Sequence, residues 1–426
     1  MKHLLKLLFV LGIVGEVMGQ ALNPAWVKQA GSAGDDRGKG ICIDSVGNVY
    51  TTGYFSGTVD FDPGVGILNL TSSGGRDIYI SKFNSTGNFI WAKRIGGTSN
   101  DDQSYDIKLD GFGNLIVAGS FGSTVDFDPG IGNVSLVSLG FYDIFVLKLD
   151  LSGNFVWVKN MSGLSYECPN AIAIDASGDI VITGYYIQTV DFDPGSGIYN
   201  LTSEGNRDIF IVKLNSSGNF IWAKSIGANN DDNAQSVTVD SLGYIYVTGD
   251  FNDTTDFDPD AGTFHLYEVV DGFGDGDIFI LKLDASGSLV WAKSMGGISK
   301  DTGLSIAVDD SGNVFTVGLY SNTVDFDPNL GIYNLLDNAD GSTNGGRGYI
   351  SKLDASGNFV WAKKLGGTEA GRCAANEIVF DSRGNFIVTG FFGGSEDFDP
   401  SPNVFNLVGP SGIFIYNMKP LQDTQS

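Results

Sequence analysis

The sequence repeats itself six times along its 426 residues. All six tryptophans fall in one recurring phrase, in which Trp is followed by Ala or Val and then by Lys. They are Trp26, Trp91, Trp157, Trp222, Trp291 and Trp361, spaced 65, 66, 65, 69 and 70 residues apart. A second phrase, DFDP, begins at Asp60, Asp126, Asp191, Asp256, Asp325 and Asp397. A period of this length is typical of proteins built from stacked copies of one supersecondary unit.

Within each unit the apolar residues recur with a period of two. Runs such as NVYTTG, DIYISKF and NFIWAK are short, rich in β-branched and aromatic residues, and bounded by Gly and Asp, which is the pattern of β-strands. The links between them, such as DSVGN from Asp44 and NSTGN from Asn84, carry Asp or Asn and Gly where a hairpin turn needs them. Each unit therefore predicts about four strands in two hairpins, with the DFDP segment inserted between the hairpins.

Units of this size cannot bury their apolar faces alone, and radial stacking also protects the sheet edges. We therefore predict an all-β, six-bladed β-propeller. The last unit ends near Met418 without its Trp strand, whereas the segment around Trp26 has no hairpin before it. The ring is thus predicted to be closed by the N-terminal strand pairing in the last blade. The alternative is a linear β-solenoid or two separate three-unit sheets, which would leave both terminal strands unpaired.

The repeated phrases also resemble a known family. KLDASGNFVWAK from Lys352, and phrases of the type DASGN(V/I)YVTG, are similar to the bacterial β-propeller repeat called SBBP, and the resemblance covers residues 24 to 418 six times. The added DFDPG phrase is similar to exported members of that family from Bacteroidetes-type bacteria. The resemblance implies a propeller fold and says little about activity.

The first 19 residues have the layout of a secretory signal peptide. Lys2, His3 and Lys6 precede an apolar run that is shorter than the ~20 residues a membrane span needs. We predict cleavage after Gly19, a propeller of repeats about 67 residues long over residues 20–418, and a short tail over residues 419–426. The mature chain would then have no membrane span. It would be exported to the periplasm, the cell surface or the medium.

The formal net charge of −25 excludes a phosphate-binding surface, so nucleic acid is not an expected partner. The expected partner is a protein, a glycan or a cell-surface component. The three cysteines are too few and too scattered for a disulfide framework. His265 is the one histidine outside the predicted signal peptide, so no zinc cluster or Ser-His-Asp triad is expected.

The DFDP phrase is a candidate calcium site. In a strand its two Asp side chains lie on one side and its Phe on the other, so the Phe anchors the segment and the carboxylates form a pair. Calcium takes six to eight oxygen ligands, which carboxylates and free turn carbonyls supply. The candidate metal ligands are Asp60, Asp62, Asp126, Asp128, Asp191, Asp193, Asp256, Asp258, Asp325, Asp327, Asp397 and Asp399. The structural alternative is that the second Asp caps the turn at Pro, while the first pairs with a lysine such as Lys82 or Lys93.

The central channel of a propeller is the other candidate site. Asp106, Asn376 and Glu377 are the residues placed to ligate a hard cation there, and they would serve a calcium-dependent hydrolase as the alternative function. Two carboxylates in separate blades make a weak constellation. A catalytic site also needs one or two blades to break the repeat with concentrated polar groups. The sequence therefore favours a non-catalytic binding scaffold.

The remaining repeated residues are interpreted as structural. The tryptophans are expected to pack in the core rather than stack on sugars, and the Lys two residues after each Trp is expected to be a solvated edge charge. The Asp residues between blades are expected to form a solvated acidic rim. They stand at positions 35, 36, 101, 102, 231, 232 and 301. A ligand site is most expected where the repeat is broken. The breaks are Tyr267–Gly276, Asp337–Arg347, and the YECPN and TEAGRCAAN loops around Cys168 and Cys373.

Overall fold

The computed structural model describes residues 26–98, 101–269, 276–337, 346–366, 373–381, 383–397 and 406–418. Its contacts divide the chain into two compact units. The first comprises Met1–Pro169, Val190–Ile198 and Ser216–Phe220, and the second comprises Asn170–Thr189, Tyr199–Asn215 and Ile221–Ser426. The predicted signal peptide and C-terminal tail lie outside the described residues, so both stay predictions.

The described residues form β-strands and no helix, and the strands make six blades arranged as a β-propeller, as the sequence predicts. The first two blades contain β1 (Arg37–Ile43), β2 (Val49–Phe55), β3 (Thr58–Asp60), β4 (Asn69–Thr71), β5 (Asp77–Phe83) and β6 (Phe89–Ile95), then β7 (Gln103–Leu109), β8 (Asn114–Phe121), β9 (Thr124–Asp126), β10 (Ser135–Val137), β11 (Asp143–Asp150) and β12 (Phe155–Gly163).

The next two blades contain β13 (Glu167–Ile174), β14 (Ile180–Tyr186), β15 (Thr189–Asp191), β16 (Asn200–Thr202), β17 (Asp208–Leu214) and β18 (Phe220–Ile226), then β19 (Asn233–Val239), β20 (Ile245–Phe251), β21 (Thr254–Asp256), β22 (His265–Tyr267), β23 (Asp277–Leu283) and β24 (Leu289–Gly297). The last two contain β25 (Thr302–Val308), β26 (Val314–Tyr320), β27 (Thr323–Asp325), β28 (Asn334–Leu336), β29 (Arg347–Leu353) and β30 (Phe359–Leu365), then β31 (Cys373–Phe380), β32 (Phe386–Asp397) and β33 (Asn406–Met418).

Each complete blade is an antiparallel four-stranded sheet, with the order β1-β2-β5-β6 in the first. The predicted turns are present. In the first of them Gly47 has a φ of 86° and donates its N–H to Asp44 O at 2.9 Å, while Asp44 Oδ1 accepts the N–H of Asn48 at 2.8 Å. The left-handed backbone explains why each turn phrase carries Gly.

The DFDP segment forms a small lateral hairpin. β9 pairs with β10 by Asp126↔Ser135, and the same arrangement recurs at β3–β4, β21–β22 and β27–β28. The hairpin β27–β28 and the matching hairpin β15–β16 also pair with an outer strand that precedes them in the chain, through Gly296↔Asp325 and Ser162↔Asp191. The inserted segment therefore lies at the boundary between consecutive sheets.

The core lies between consecutive sheets, where the apolar faces meet. The predicted anchoring role of the DFDP Phe is confirmed for five copies: Phe61, Phe127, Phe192, Phe257 and Phe326 are at most 4% exposed. Phe127 shows the packing, since its ring lies edge-on to Phe121 at 5.2 Å between centroids and 4.9 Å from Phe145. Phe398 lies outside the described residues.

The predicted closure by the N-terminal strand stays a prediction. In the described part of the chain, residues 26–36 form no strand and the last sheet has the order β31-β32-β33. Trp26 nevertheless contacts the first blade, where its Nε1 donates to Ser85 O at 3.2 Å and its ring lies over Gly87. Among the described residues there is also no α-helix with the length and hydropathy that crossing a bilayer requires.

Candidate functional site

The first Asp of each DFDP phrase holds its own loop closed. Asp126 Oδ1 accepts the N–H of Asp128 at 3.1 Å and the N–H of Val134 at 2.8 Å, which joins the two ends of the loop. The equivalent two backbone N–H groups donate to Oδ1 of Asp60, Asp256 and Asp325. Asp191 accepts the N–H of Asp193. These bonds therefore do not support the alternative in which the first Asp pairs with Lys82 or Lys93.

The second Asp caps the turn that follows Pro, as the structural alternative proposed. Asp128 Oδ1 accepts the N–H of Gly130 at 2.7 Å, and its Oδ2 occupies the space beside Gly132, where a Cβ would lie only 2.0 Å away. The same cap occurs at Asp62, Asp193, Asp258 and Asp327. The Gly four residues after this Asp is required because a larger residue would displace the carboxylate.

The calcium hypothesis stays a prediction. The side chain of Asp397 and the whole of Asp399 lie outside the described residues. Within the described ranges, no three His, Cys, Asp or Glu side chains converge in a way that could hold a metal ion. In the five described loops one oxygen of each carboxylate already accepts backbone N–H groups, so any cation would have to use the other oxygens and turn carbonyls.

Changing Asp126 and Asp128 together to Asn is expected to lower the free energy of unfolding by less than about 1 kcal/mol, because the amide oxygen can accept the same N–H bonds. Changing both to Ala is expected to cost about 1–3 kcal/mol, because the N–H groups lose their acceptors. Urea unfolding followed by tryptophan fluorescence measures both variants.

Calcium adds a second arm to that experiment. If wild type gains thermal stability in millimolar calcium, and a protein with all twelve DFDP carboxylates changed to Asn does not, the loops bind calcium. A wild type whose unfolding is the same with calcium and with a chelator would end the calcium hypothesis.

Two of the lysines that stand two residues after a Trp are not the simple solvated charges that the sequence predicted. Lys224 Nζ bonds to Asp260 Oδ1, and Lys293 Nζ donates to Asn329 Oδ1 at 2.9 Å. Asp260 and Asn329 each stand directly after a DFDP phrase. These lysines therefore tie an outer strand to the DFDP loop that comes next in the chain.

The tryptophans pack across sheet boundaries, as expected for core residues. Trp91 Nε1 donates to Leu151 O, Trp222 Nε1 to Ala285 O and Trp291 Nε1 to Ala355 O, each at 3.3 Å. Each acceptor lies in the hairpin turn of the following sheet. The half-buried indoles are thus engaged by protein rather than presented to a sugar.

The residues that the sequence placed in the central channel are all among those the structure describes. Asp106 is held by Lys108, whose Nζ lies 2.7 Å from Oδ1 and 2.8 Å from Oδ2, and its Oδ1 also accepts the N–H of Ile107. Asn376 and Glu377 belong to the second unit and are exposed. His265 lies in the lateral strand β22, 6.4 Å from the ring of Tyr267. The hydrolase alternative rests on these residues alone.

The predicted acidic rim is only partly correct. Asp35 and Asp101 are partly exposed and bind Arg76, whose guanidinium lies 2.6 Å and 3.5 Å from their carboxylates. Asp102, Asp232 and Asp301, in contrast, are fully buried. The prediction that they are solvated was wrong, because backbone N–H groups hold them inside the sheet boundaries.

One break in the repeat exposes an apolar surface. The YECPN loop begins with Tyr166, whose ring stacks on Phe141 with centroids 4.9 Å apart and planes 7° apart. Tyr142 lies 5.7 Å from Tyr166, and Leu139 and Leu164 stand two residues before Phe141 and Tyr166 in the sequence. Phe141 is 59% exposed, Leu139 68% and Leu164 73%. We call these five residues, Leu139, Phe141, Tyr142, Leu164 and Tyr166, the aromatic patch.

The backbone under the aromatic patch is fixed. Gly140 lies so close to residues 163–165 that a Cβ on it would meet Leu164 C at 2.6 Å, and Phe141 N donates to Ser165 O at 3.0 Å. Tyr142 and Tyr166 are joined by a parallel β-bridge. The two loops therefore present the patch from a rigid support.

The equivalent positions one blade along carry polar residues on the same backbone. Arg207 and Asp231 form the matching parallel bridge, and Gly205 makes the matching close approach to Ala228 and Asn229. At the boundary before the patch, Arg76 pairs with Asp101. The Tyr142–Tyr166 pair thus replaces an Arg–Asp pair, and this replacement is the sequence signal that could have found the site.

The other three breaks fall largely outside the described residues. Residues 270–275, 338–345 and 367–372 belong to the inserts in the fourth and fifth blades and to the TEAGRCAAN loop. The hypothesis of ligand sites there stays untested.

Comparison with known proteins agrees with the repeat architecture. Two segments match the SBBP beta-propeller repeat. They are residues 25–54 and 221–257. The predicted resemblance to this repeat is confirmed for those segments, while a bacterial source and the DFDP additions stay predictions.

Two curated proteins are similar in sequence. The uncharacterized WD repeat-containing protein L264 of Acanthamoeba polyphaga mimivirus is 25% identical over 456 residues, which covers 86% of this chain and 31% of that protein. The regulatory protein FlaEY of Caulobacter vibrioides is 29% identical over 117 residues, covering 28% of this chain and 12% of that protein. The chain therefore spans less than a third of either relative.

A solved structure of a protein of unknown function from Bacteroides caccae aligns with 69% of this chain and 92% of its own. The TM-score is 0.30 and the sequence identity is 10%.

Proposed function

We propose that this protein is a non-catalytic interaction scaffold that works outside the cell and docks a protein partner through the aromatic patch. The observation that carries the proposal is the exposed, rigidly supported Phe141–Tyr166 stack at a position where other blades carry an Arg–Asp pair. Export rests on the signal-peptide pattern of residues 1–19.

The composition of the patch favours a protein over a glycan. Exposed Leu139 and Leu164 stand two residues before Phe141 and Tyr166, and aliphatic side chains with Tyr and Phe are typical of the core of a protein interface. A sugar-stacking site would instead set polar groups beside the aromatic face. The net charge of −25 indicates that the partner surface is basic around an apolar centre, because opposite charge raises the association rate.

The chain supplies its own replacement for the patch. A patch-exchange variant carries the residues of the polar boundary: Leu139→Glu, Phe141→Asn, Tyr142→Arg, Leu164→Asn and Tyr166→Asp. We expect it to fold like wild type, since the same backbone already holds these residues one blade along. We expect it to bind the partner at least about tenfold more weakly, because hot-spot aromatics typically contribute 2 kcal/mol or more each.

The test has three steps. Wild type and the patch-exchange variant capture proteins from a surface extract of the producing cells, candidates lost from the variant are purified, and their Kd values are measured at low and high salt. The control is Asn206→Ser with Asn229→Ser at the polar boundary, which should leave Kd unchanged. A partner that binds wild type and the patch-exchange variant equally would refute the proposal. So would binding of wild type to insoluble polysaccharide that the exchange abolishes, since the patch would then be a glycan site.

A further inference from the structure

Buried acidic residues recur in pairs at four boundaries between consecutive sheets. One member begins the DIFI-type strand, and the other stands at the start of the next sheet's first strand or directly before it. The pairs are Asp77 with Asp102, Asp143 with Glu167, Asp208 with Asp232, and Asp277 with Asp301. All eight side chains belong to residues that are at most 1% exposed. Each pair lies within one of the two compact units.

The two acids of a pair sit over adjacent residues of the same outer strand. A Cβ on Gly296 would lie 2.0 Å from Asp277 Cγ, and the neighbouring Gly297 N–H donates to Asp301 Oδ2 at 2.9 Å. Gly96 and Gly97 place Asp77 and Asp102 in the same way. The glycines leave room for both carboxyl groups, and this close placement makes each pair one electrostatic unit.

The hydrogen bonds leave these pairs short of donors. Asp301 accepts the N–H of Gly297 on Oδ2 and of Ser321 on Oδ1. Asp277 accepts the N–H of Val269 on Oδ2, but its Oδ1 is buried without a hydrogen-bond partner. Asp77 Oδ1 is in the same position. An ionised oxygen left in this state is costly, and a proton on the pair supplies the missing donor.

Burial and mutual repulsion act in the same direction on the pKa values. Burial, followed by the charge of Asp77, raises the pKa of Asp102 to about 7. Burial, followed by the charge of Asp143, raises the pKa of Glu167 to about 8. Burial, followed by the charge of Asp208, raises the pKa of Asp232 to about 7. Two like charges in one buried site cannot both ionise cheaply, so such a pair titrates as a unit.

The repeats themselves show that the two positions vary together. At the boundary between the fifth and sixth sheets, Arg347 stands where the other sheets have the strand Asp, and Cys373 stands where they have the second acid. Arg347 Nε binds Asp337 Oδ1 at 2.9 Å instead. Both acids are absent together, as expected if neither is useful without the other.

A proton fits the pairs better than a metal ion does. Both oxygens of Asp102, Asp232 and Asp301 already accept backbone N–H groups. A calcium ion needs six to eight oxygen ligands and would face N–H donors instead. A proton needs only one carboxylate oxygen to carry it and one nearby oxygen to accept its hydrogen bond.

We propose that each of the four acid pairs carries one proton near neutral pH, which makes the sheet boundaries of the exported protein respond to pH. The charged and titratable groups that face the pairs are few. Arg94 bonds to Asp77, and Asp101 and Tyr142 lie near Asp102. Glu204 and Tyr186 lie near Asp208, Glu268 faces Asp277, and Tyr320 and Tyr349 lie near Asp301.

The sign of the pH effect follows from the raised pKa values. The folded chain holds protons that the unfolded chain, with ordinary carboxyl pKa values near 4, has released. The stabilisation is fully present below about pH 4 and is lost as the pH rises through about 7. The four pairs therefore make the propeller more stable in mildly acidic medium than in alkaline medium.

The test compares Asp277→Asn with wild type. The new amide removes one of the two like charges and can donate from the position of the partnerless Oδ1, so the pKa of Asp301 falls even though its burial remains. The urea midpoint of wild type should fall between about pH 5.5 and pH 8.5, and the fall should be smaller in the variant by up to about a quarter, since one of four pairs loses its mutual repulsion. The control is Asp310→Asn at an exposed position, which should keep the wild-type fall.

Three results would overturn the proposal. The first is a wild-type midpoint that does not change over this pH range. The second is a pH dependence in Asp277→Asn equal to that of the Asp310→Asn control. The third is a midpoint that calcium raises at about pH 8.5 in wild type but not in Asp277→Asn, because the pair would then hold a cation in place of the proton.

Discussion

Replacing Lys148 by Met is expected to lower the free energy of unfolding by about 3–5 kcal/mol, because it leaves a buried carboxylate without its cation. Lys148 Nζ lies 2.7 Å from Asp110 Oδ2, and the two side chains are 9% and 1% exposed. The same ammonium donates to Ser216 O at 3.1 Å. Urea unfolding at neutral pH measures the loss.

The state of Asp110 explains the size of this effect. Burial alone would raise the pKa of Asp110, but hydrogen bonds from Lys148 and Asn114 more than offset it, so the pKa lies below its ordinary value. Without Lys148 the charge keeps its burial cost and loses its main compensation. Adding Asp110→Asn to Lys148→Met should therefore recover part of the lost stability, since the double variant buries no unpaired charge.

The matched control is a surface pair of the same unit. Arg37 and Asp35 are 3.1 Å apart, with side chains that are 52% and 37% exposed, so Arg37→Met should cost less than about 1 kcal/mol. Equal losses in Lys148→Met and Arg37→Met would show that the Lys148 pair is no more important than a solvated one.

Replacing Gly119 by Ala is expected to cost about 3 kcal/mol or more, at the upper end of what overpacking costs in a protein core. A Cβ on Gly119 would lie 2.0 Å from the carbonyl oxygen of Gln103 and 2.5 Å from the ring of Phe145. The carbonyl belongs to the paired strand β7, so relief of the overlap requires the backbone of the sheet to move. Thermal unfolding together with urea unfolding measures the change.

Gly111 provides the control for this substitution. It lies in the hairpin turn of the same sheet, and no atom lies within 4 Å of the place where its Cβ would be. Gly111→Ala should be neutral or stabilising by about 0.4–1 kcal/mol, because Ala restricts the unfolded chain. If the two substitutions had equal effects, the close approach at Gly119 would not be a constraint.

The sequence predicted those parts of the fold that depend on local chemistry. The turn at Asp44 and Gly47 was predictable because the side-chain cap and the left-handed Gly lie within five residues of each other. The burial of Phe127 was predictable because strand alternation sets it opposite the two Asp residues. The six sheets followed from the repeats of these local patterns.

What depends on contacts between distant segments was not predictable from one sequence. The DFDP carboxylates looked like metal ligands because the backbone N–H groups that Asp126 accepts come from the far end of its loop. The burial of Asp102 depends on Gly97 and Gly122, and a run of acids alone suggested a solvated rim. The stack of Phe141 on Tyr166 joins residues from neighbouring sheets. Only its contrast with the Arg207–Asp231 pair marks it in the sequence.

The pairing of lateral hairpins with the outer strand of the preceding sheet constrains how blades can be added by gene duplication. A duplication that copied one complete sheet would also copy a hairpin whose hydrogen-bonding partner, as for Asp191 at Ser162 and Asp325 at Gly296, comes from the preceding copy. The copied segment can be accommodated only if its new upstream neighbour offers the same strand end. Selection on this junction is expected to keep two sequences similar from one repeat to the next: the GG-type ends of the outer strands, and the TVD strands. The exposed loops between them are free to diverge.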